Sequence, residues 1–190
     1  MRFNLPNTLT WIRIILIPVL GLMFLLPEAW SNPIAAFVFA LAAITDWLDG
    51  YLARRWQQTS TFGAFLDPVA DKLIVAVALI VVLTGEASVT VAFPVAVIIG
   101  REIAVSALRE WMAEIGQRTH VSVGLMGKIK TVAQMVAITL LLYEAPLLGL
   151  SMFTFGLWLL YLAAVLTIYS MVIYLHAAWQ ALKEGDEPRA

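Results

Sequence analysis

Four aspartates stand at spacings that chemistry can use. Asp46 and Asp49 are three residues apart, and Asp67 and Asp71 are four apart. In a helix either spacing sets both carboxylates on one face, about one turn from each other. Hard oxygen donors of this kind suit Mg²⁺, Mn²⁺ or Ca²⁺. The chain has no Cys and only two His, so nothing favours a thiolate or zinc-type site. Two such ions about 3.5–4 Å apart, shared by several carboxylates, form the clamp used in phosphoryl displacement. A plainer reading competes for one pair. Asp67 followed by Pro68 has the form of an N-cap with proline at the first helical position, and Asp71 would then balance the helix dipole in the first turn. Asp46 and Asp49 resist that reading, because they lie toward the end of their helix, where the dipole disfavours anions. The cations close to the aspartates in sequence are Arg54, Arg55 and Lys72.

The elements that must carry these residues are membrane spans. Of the 190 residues 62% are hydrophobic and 13% charged, against roughly 25% charged in ordinary soluble domains. That composition excludes a disordered chain and a collagen-like fibre and argues against a soluble enzyme. The net charge of −1 supplies no basic field for nucleic acid, and the lack of cysteine excludes a disulfide framework. Six stretches, 9–26, 33–52, 65–83, 89–112, 123–143 and 147–175, come near the ~20 apolar residues that cross a bilayer core. The expected fold is all-α, a bundle of six transmembrane helices in one domain over 1–182, followed by a polar tail over 183–190. The first stretch has some likeness to a cleaved leader, but Asn7, Thr10 and Arg13 interrupt its start, so it reads as a span.

Cationic residues orient the bundle. The connections near 27–32, 84–88 and 144–146 hold Glu28, Glu86 and Glu144 and no Lys or Arg, whereas all twelve Lys and Arg fall at the opposite ends. Cytoplasmic ends collect Lys and Arg, so both termini are expected in the cytoplasm. The short link between the second and third spans makes them neighbours, and the four aspartates meet near the inner boundary. An intramembrane Asp costs on the order of 2.5–3.5 kcal/mol even on lenient insertion scales, so four together demand compensating cations. Trp11, Trp30, Trp47, Trp56, Trp111 and Trp179 lie near span boundaries as an interfacial belt. Pro94 is expected to kink the fourth span. His120 and His176 have no partner at metal-ligand spacing and read as interface residues.

From Asp46 to Asp71 the chain reads D-x2-D-G-x2-A-R-x8-G-x3-D-x3-D. This resembles the signature of the CDP-alcohol phosphotransferases at all eight fixed positions. The opening run Asn4–Leu–Pro–Asn7 with Thr10 and Arg13, the stretch from Thr45 to Trp56, that from Arg101 to Met112, and that from Gly127 to Gln134 resemble the bacterial branch of that family using glycerol 3-phosphate. The resemblance implies a six-helix enzyme of the bacterial inner membrane, its active site facing the cytoplasm, working as a homodimer. It implies transfer of the phosphatidyl group of CDP-diacylglycerol to glycerol 3-phosphate, with release of CMP. By the same analogy Asp46, Asp49, Asp67 and Asp71 hold two Mg²⁺ or Mn²⁺ ions, and Asp71 is also the base.

Gly50, Ala53, Arg54 and Gly63 would border the CDP group, where missing side chains admit a bulky ligand; small residues also serve close helix packing. Asn7, Thr10 and Arg13 recur every three residues on one face, as satisfied polar groups of a helix start or as contacts to nucleotide or phosphate. The acceptor carries a phosphate dianion and needs cations. Arg109 and Lys128, with Arg101 and Lys130, are the candidates, Arg offering a planar fork and Lys a point charge; positive-inside decoration is their plainer explanation. Glu102 is the natural partner of Arg101, which sits inside an apolar run. A divalent-cation transporter, a prenyltransferase and a sibling transferase using serine, inositol phosphate or phosphatidylglycerol remain rival readings. Transporter sites tend to lie near the midplane between repeated halves, and no repeat is visible here.

Overall fold

The computed structural model describes residues 5–56, 61–115, 125–147 and 149–186, with the side chains of 5–7, 24, 28–29, 53–54, 56, 61–65, 125–126, 128 and 181–186 outside that description. The described chain is helical. Helix α1 covers Leu5–Leu22 and ends in a 3-10 turn, Met23–Leu25; α2 covers Glu28–Trp56, α3 Thr61–Gly85, α4 Val89–Glu114, α5 Leu125–Tyr143 and α6 Met152–Asp186. Runs rich in Leu, Ile, Val and Ala form helices here despite their β-branched content, because inside lipid each backbone N–H and C=O must be satisfied within its own segment.

Among the described residues three helical segments are both long and apolar enough to cross a bilayer: Trp30–Leu52, Val89–Glu114 and Met152–Gln180. Thr8–Leu22 and Ile129–Tyr143 are shorter apolar helices. The outer surface agrees with lipid as solvent. Phe37, Ile44, Phe93, Ile103, Val132, Phe155, Val165 and Val172 are all exposed, far more apolar surface than a water-soluble monomer presents. Trp11, Trp30, Trp47, Trp111 and Trp179 are exposed as a belt requires; the side chain of Trp56 lies outside the described residues.

The interior is built from one stripe of each helix. Leu20 of α1, Phe39 and Ala42 of α2, Ala78 and Leu79 of α3, Val91 and Ile98 of α4, Ala137 and Ile138 of α5, and Leu160 and Ala163 of α6 form one buried cluster. Helices α5 and α6 pack most extensively, followed by α1 on α2 and on α3. At the α5–α6 seam Gly156 packs closely: a Cβ there would meet Leu141 Cγ at 3.0 Å and the Ala137 carbonyl oxygen at 3.1 Å. The end of α5 is closed by Glu144 in the left-handed region at φ 59°, a position that usually favours glycine. Its carboxylate accepts a 2.6 Å hydrogen bond from Asn32 Nδ2, tying the end of α5 to the start of α2.

One sequence expectation changes. Helix α3 begins at Thr61, so Asp67 lies inside a helix and is no N-cap. Its carboxylate accepts a hydrogen bond from Thr10 rather than from the amides of its own first turn. Among the described residues helices α2 and α3 touch each other, as neighbours should, and α1 packs more extensively against both. Helix α6 runs through Asp186, so the first part of the polar 183–190 segment is helical.

Candidate active site

Helix α1 positions the four carboxylates by reaching both neighbouring helices at once. Arg13 is wholly buried, 0% exposed. Its Nη2 donates to Asp49 Oδ2 at 2.5 Å and lies 3.1 Å from Asp46 Oδ1, both on α2. Its Nη1 donates to Asp71 Oδ1 of α3 at 2.5 Å. One turn earlier on α1, Thr10 Oγ1 donates to Asp67 Oδ1 of α3 at 2.6 Å. The i, i+3 spacing of Thr10 and Arg13 thus meets the i, i+4 spacing of Asp67 and Asp71 across the α1–α3 contact. The four aspartates predicted to act together are brought together, through a third helix.

Burial within this group is uneven. The Asp49 side chain is 7% exposed, whereas those of Asp46 and Asp71 are each 38% exposed. The guanidinium forms the floor and the partly open carboxylates the mouth. Gly50 follows Asp49 and is half-buried, while Tyr51 beyond it is exposed and stacks on Trp47 at 6.0 Å between ring centroids. Arg55 is exposed and donates to the Tyr51 hydroxyl at 2.9 Å, and Lys72 is exposed. The predicted CDP-contacting residues Asn7, Ala53, Arg54 and Gly63 have side chains outside the described residues.

A second polar cluster joins α4, α5 and α6. Glu102 Oε1 accepts from Arg101 Nη1 at 2.8 Å and from Lys130 Nζ at 2.9 Å. Arg101 Nη2 donates to Ser170 Oγ of α6 at 3.0 Å. Two predicted phosphate-binding cations, Arg101 and Lys130, are therefore held side by side on one carboxylate. Arg109, two turns further along α4, is exposed and lies over the Tyr174 ring, 5.6 Å from its centroid, with its Nη2 donating to the Tyr174 hydroxyl at 3.2 Å. The side chain of Lys128 lies outside the described residues, as does all of His120. His176 is exposed and hydrogen-bonded to Gln180.

Sequence reasoning missed the role of Arg13. The sequence offers Arg54, Arg55 and Lys72 as the nearby cations and points to divalent ions as the better compensation for the aspartates, whereas the guanidinium that meets them comes from 58 residues before Asp71. A signal was present: Arg13 is an arginine inside an apolar helix, on the same face as Thr10, and such a residue needs an anionic partner.

The donor set suits hard divalent ions, being four carboxylates and a threonine hydroxyl with no sulfur or imidazole. The cation on which three of them close is Arg13, and among the described residues no three acidic or histidine side chains are arranged to hold a metal ion. The fit to a divalent ion is therefore one of donor chemistry, with the guanidinium at the centre of the carboxylates.

Known proteins resemble this chain over most of its length. The family model described as CDP-alcohol phosphatidyltransferase matches residues 3–169, which takes in α1 with Thr10 and Arg13 as well as the aspartates. Curated proteins named CDP-diacylglycerol–glycerol-3-phosphate 3-phosphatidyltransferase are similar over nearly the full chain. Those of Salmonella choleraesuis, Shigella flexneri and Escherichia coli K12 are each 52% identical over 178 residues, covering 94% of this chain and 96% of theirs.

Proposed function

The chain belongs to the CDP-alcohol phosphatidyltransferase family, and on that premise we propose that it transfers the phosphatidyl group of CDP-diacylglycerol to glycerol 3-phosphate, yielding phosphatidylglycerophosphate and CMP. The relatives' names supply the acceptor. The observation that carries the reading is the closure of Asp46, Asp49, Asp67 and Asp71, from two helices, on the Thr10–Arg13 face of a third.

In this reading the four aspartates hold two divalent ions, Mg²⁺ or Mn²⁺. When bound, such ions compensate the negative charge that grows on the departing phosphate. Asp71, partly open at the mouth of the cluster, takes the proton of the glycerol 3-phosphate hydroxyl. The freed oxygen attacks the lipid-side phosphorus. The bond from that phosphorus to the bridging oxygen breaks, and CMP leaves with the electron pair. Gly50, Ala53, Arg54, Gly63, Asn7 and Thr10 border the CDP moiety. The acceptor's phosphate is received by Arg101 and Lys130, with Arg109 and Lys128 as flanking cations; the first two already share a carboxylate, which a phosphate dianion can replace as their anionic partner.

The membrane arrangement follows from the same reading. Six spans with cytoplasmic termini are supported by the one-sided placement of Lys and Arg. A site at the inner boundary lets acyl chains stay in lipid while a dissolved acceptor reaches the phosphorus. Residues 1–182 act as one domain. A homodimer is carried by the family resemblance alone.

The test is CMP release by the purified chain in lipid nanodiscs, with CDP-diacylglycerol and separate arms of glycerol 3-phosphate, serine, inositol phosphate and phosphatidylglycerol, each with and without EDTA. CMP release is expected with glycerol 3-phosphate alone, and chelation abolishes it. Turnover with another acceptor, or turnover that survives chelation, refutes the proposal.

A further inference from the structure

We propose that the outward stripe of α2 ending in Trp47, Tyr51 and Arg55 binds one anionic phospholipid of the surrounding leaflet. Its acyl chains lie along the stripe, and its phosphate is held by the Arg55 guanidinium together with the Tyr51 hydroxyl. The site needs only that α2 spans a bilayer; it takes no part in the proposed reaction, and failure of that reaction leaves it standing.

Three observations carry it. First, the polar end is a joined donor set. Arg55 Nη1 donates to the Tyr51 hydroxyl at 2.9 Å, which engages a lone pair of the phenol and one of the guanidinium's N–H groups. That geometry leaves the phenol's own hydrogen and further guanidinium donors to meet an anion, and the guanidinium fork matches phosphate oxygens in pairs. Among the described residues no carboxylate forms an ion pair with Arg55. Secondly, this end stands at headgroup depth. The bilayer-length segment of α2 ends at Leu52, and Arg55 lies about 4–5 Å beyond it at the helical rise per residue. The stacked rings of Trp47 and Tyr51 lie just below, where amphipathic aromatics gather at a membrane interface. Thirdly, an apolar track leads up to it. Phe37, Ile44 and Trp47 are exposed and share one side of α2 with Tyr51 and Arg55 by helical periodicity. From Phe37 to Trp47 the rise is about 15 Å, half of the ~30 Å hydrocarbon core and so the depth of one leaflet.

The track and the charge together choose the occupant. A free phosphate has no use for an apolar track, and a lone cation favours a lipid with net negative charge. Asp46 and Asp49 lie on the other side of the helix, so Arg55 is turned to the lipid and away from the acidic cluster. An interfacial belt with positive-inside charge would place the same residue types here, but it would hold no particular lipid.

The test is native mass spectrometry of the full chain in detergent, titrated with dioleoyl phosphatidylglycerol or dioleoyl phosphatidylcholine. The unsubstituted chain is expected to retain one phosphatidylglycerol more tightly than phosphatidylcholine. Arg55→Gln should weaken that binding about fivefold, the scale of one cation near an anionic membrane surface. Tyr51→Phe, which keeps the ring and removes the hydroxyl, should weaken it by about two- to threefold. Lys72→Gln, which removes an exposed cation of α3 outside the stripe, should leave it unchanged, and inorganic phosphate should not displace the lipid. Retention of phosphatidylcholine equal to that of phosphatidylglycerol, or no retention of either, overturns the proposal. So does a loss of less than about twofold in Arg55→Gln, or an equal loss in Lys72→Gln, which would make the attraction general surface charge. Displacement by inorganic phosphate would make this a free-anion site and also overturns it.

Discussion

Replacing Glu102 by Gln isolates the charge that holds two cations inside the bundle. The Glu102 carboxylate serves both Arg101 and Lys130 through one oxygen, at 2.8 and 2.9 Å, and their side chains are only 12% and 8% exposed. Glutamine keeps the shape and one acceptor oxygen but leaves two buried positive charges adjacent and uncompensated. Removing one partner of a buried ion pair costs about 3–5 kcal/mol. Glu102 is itself 28% exposed, so the low end applies, about 3 kcal/mol. For a chain of this size that is a fall in Tm of about 6–12 °C. The assay is thermal unfolding in detergent, with and without saturating glycerol 3-phosphate. If Arg101 and Lys130 receive the acceptor's phosphate, the dianion supplies the missing charge, and glycerol 3-phosphate should raise the Tm of Glu102→Gln more than that of the unsubstituted chain. A fall of less than about 2 °C would refute the claim that the ion cluster is buried and strongly coupled. Equal stabilisation of both proteins would refute the placing of the acceptor's phosphate on these two cations.

Asp71→Asn should lower kcat by about 10²–10⁴, the usual contribution of a positioned base, while retaining CDP-diacylglycerol binding by calorimetry, because Arg13 keeps Asp46 and Asp49; near-normal turnover sinks the assignment. Arg101→Gln should raise the acceptor KM more than Arg109→Gln, since Arg101 shares Glu102 with Lys130 whereas Arg109 pairs with Tyr174 at the surface; equal shifts in steady-state kinetics count against the distinction. Gly156→Val should destabilise the α5–α6 seam by about 1–3 kcal/mol, because the Ala137 carbonyl, 3.1 Å from the new Cβ, is backbone and cannot swing aside; an unchanged Tm contradicts that packing.

The sequence by itself determined a helical membrane chain, because too few charged residues exist to cover a water-facing surface and the apolar runs have bilayer length. It also singled out the carboxylates that the fold brings together. The pairs Asp46/Asp49 and Asp67/Asp71 are local, set by helical periodicity, and the motif joining them is local as well. The pairing of Arg101 with Glu102 was equally legible, being a contact between chain neighbours. What only the tertiary structure decided is which helix closes the site. Helix α1 packs against both α2 and α3, more extensively among the described residues than those two pack against each other. That choice hands charge compensation to Arg13 and leaves Arg55 and Lys72 exposed. Periodicity reveals which face of a helix is polar; it carries no information on which distant helix that face will meet, because buried charge pairs across any sequence distance once packing has fixed the neighbours. The same holds for Lys130, whose partner Glu102 lies 28 residues earlier, and for Arg109, drawn to Tyr174 on α6, away from the cations grouped with it by sequence.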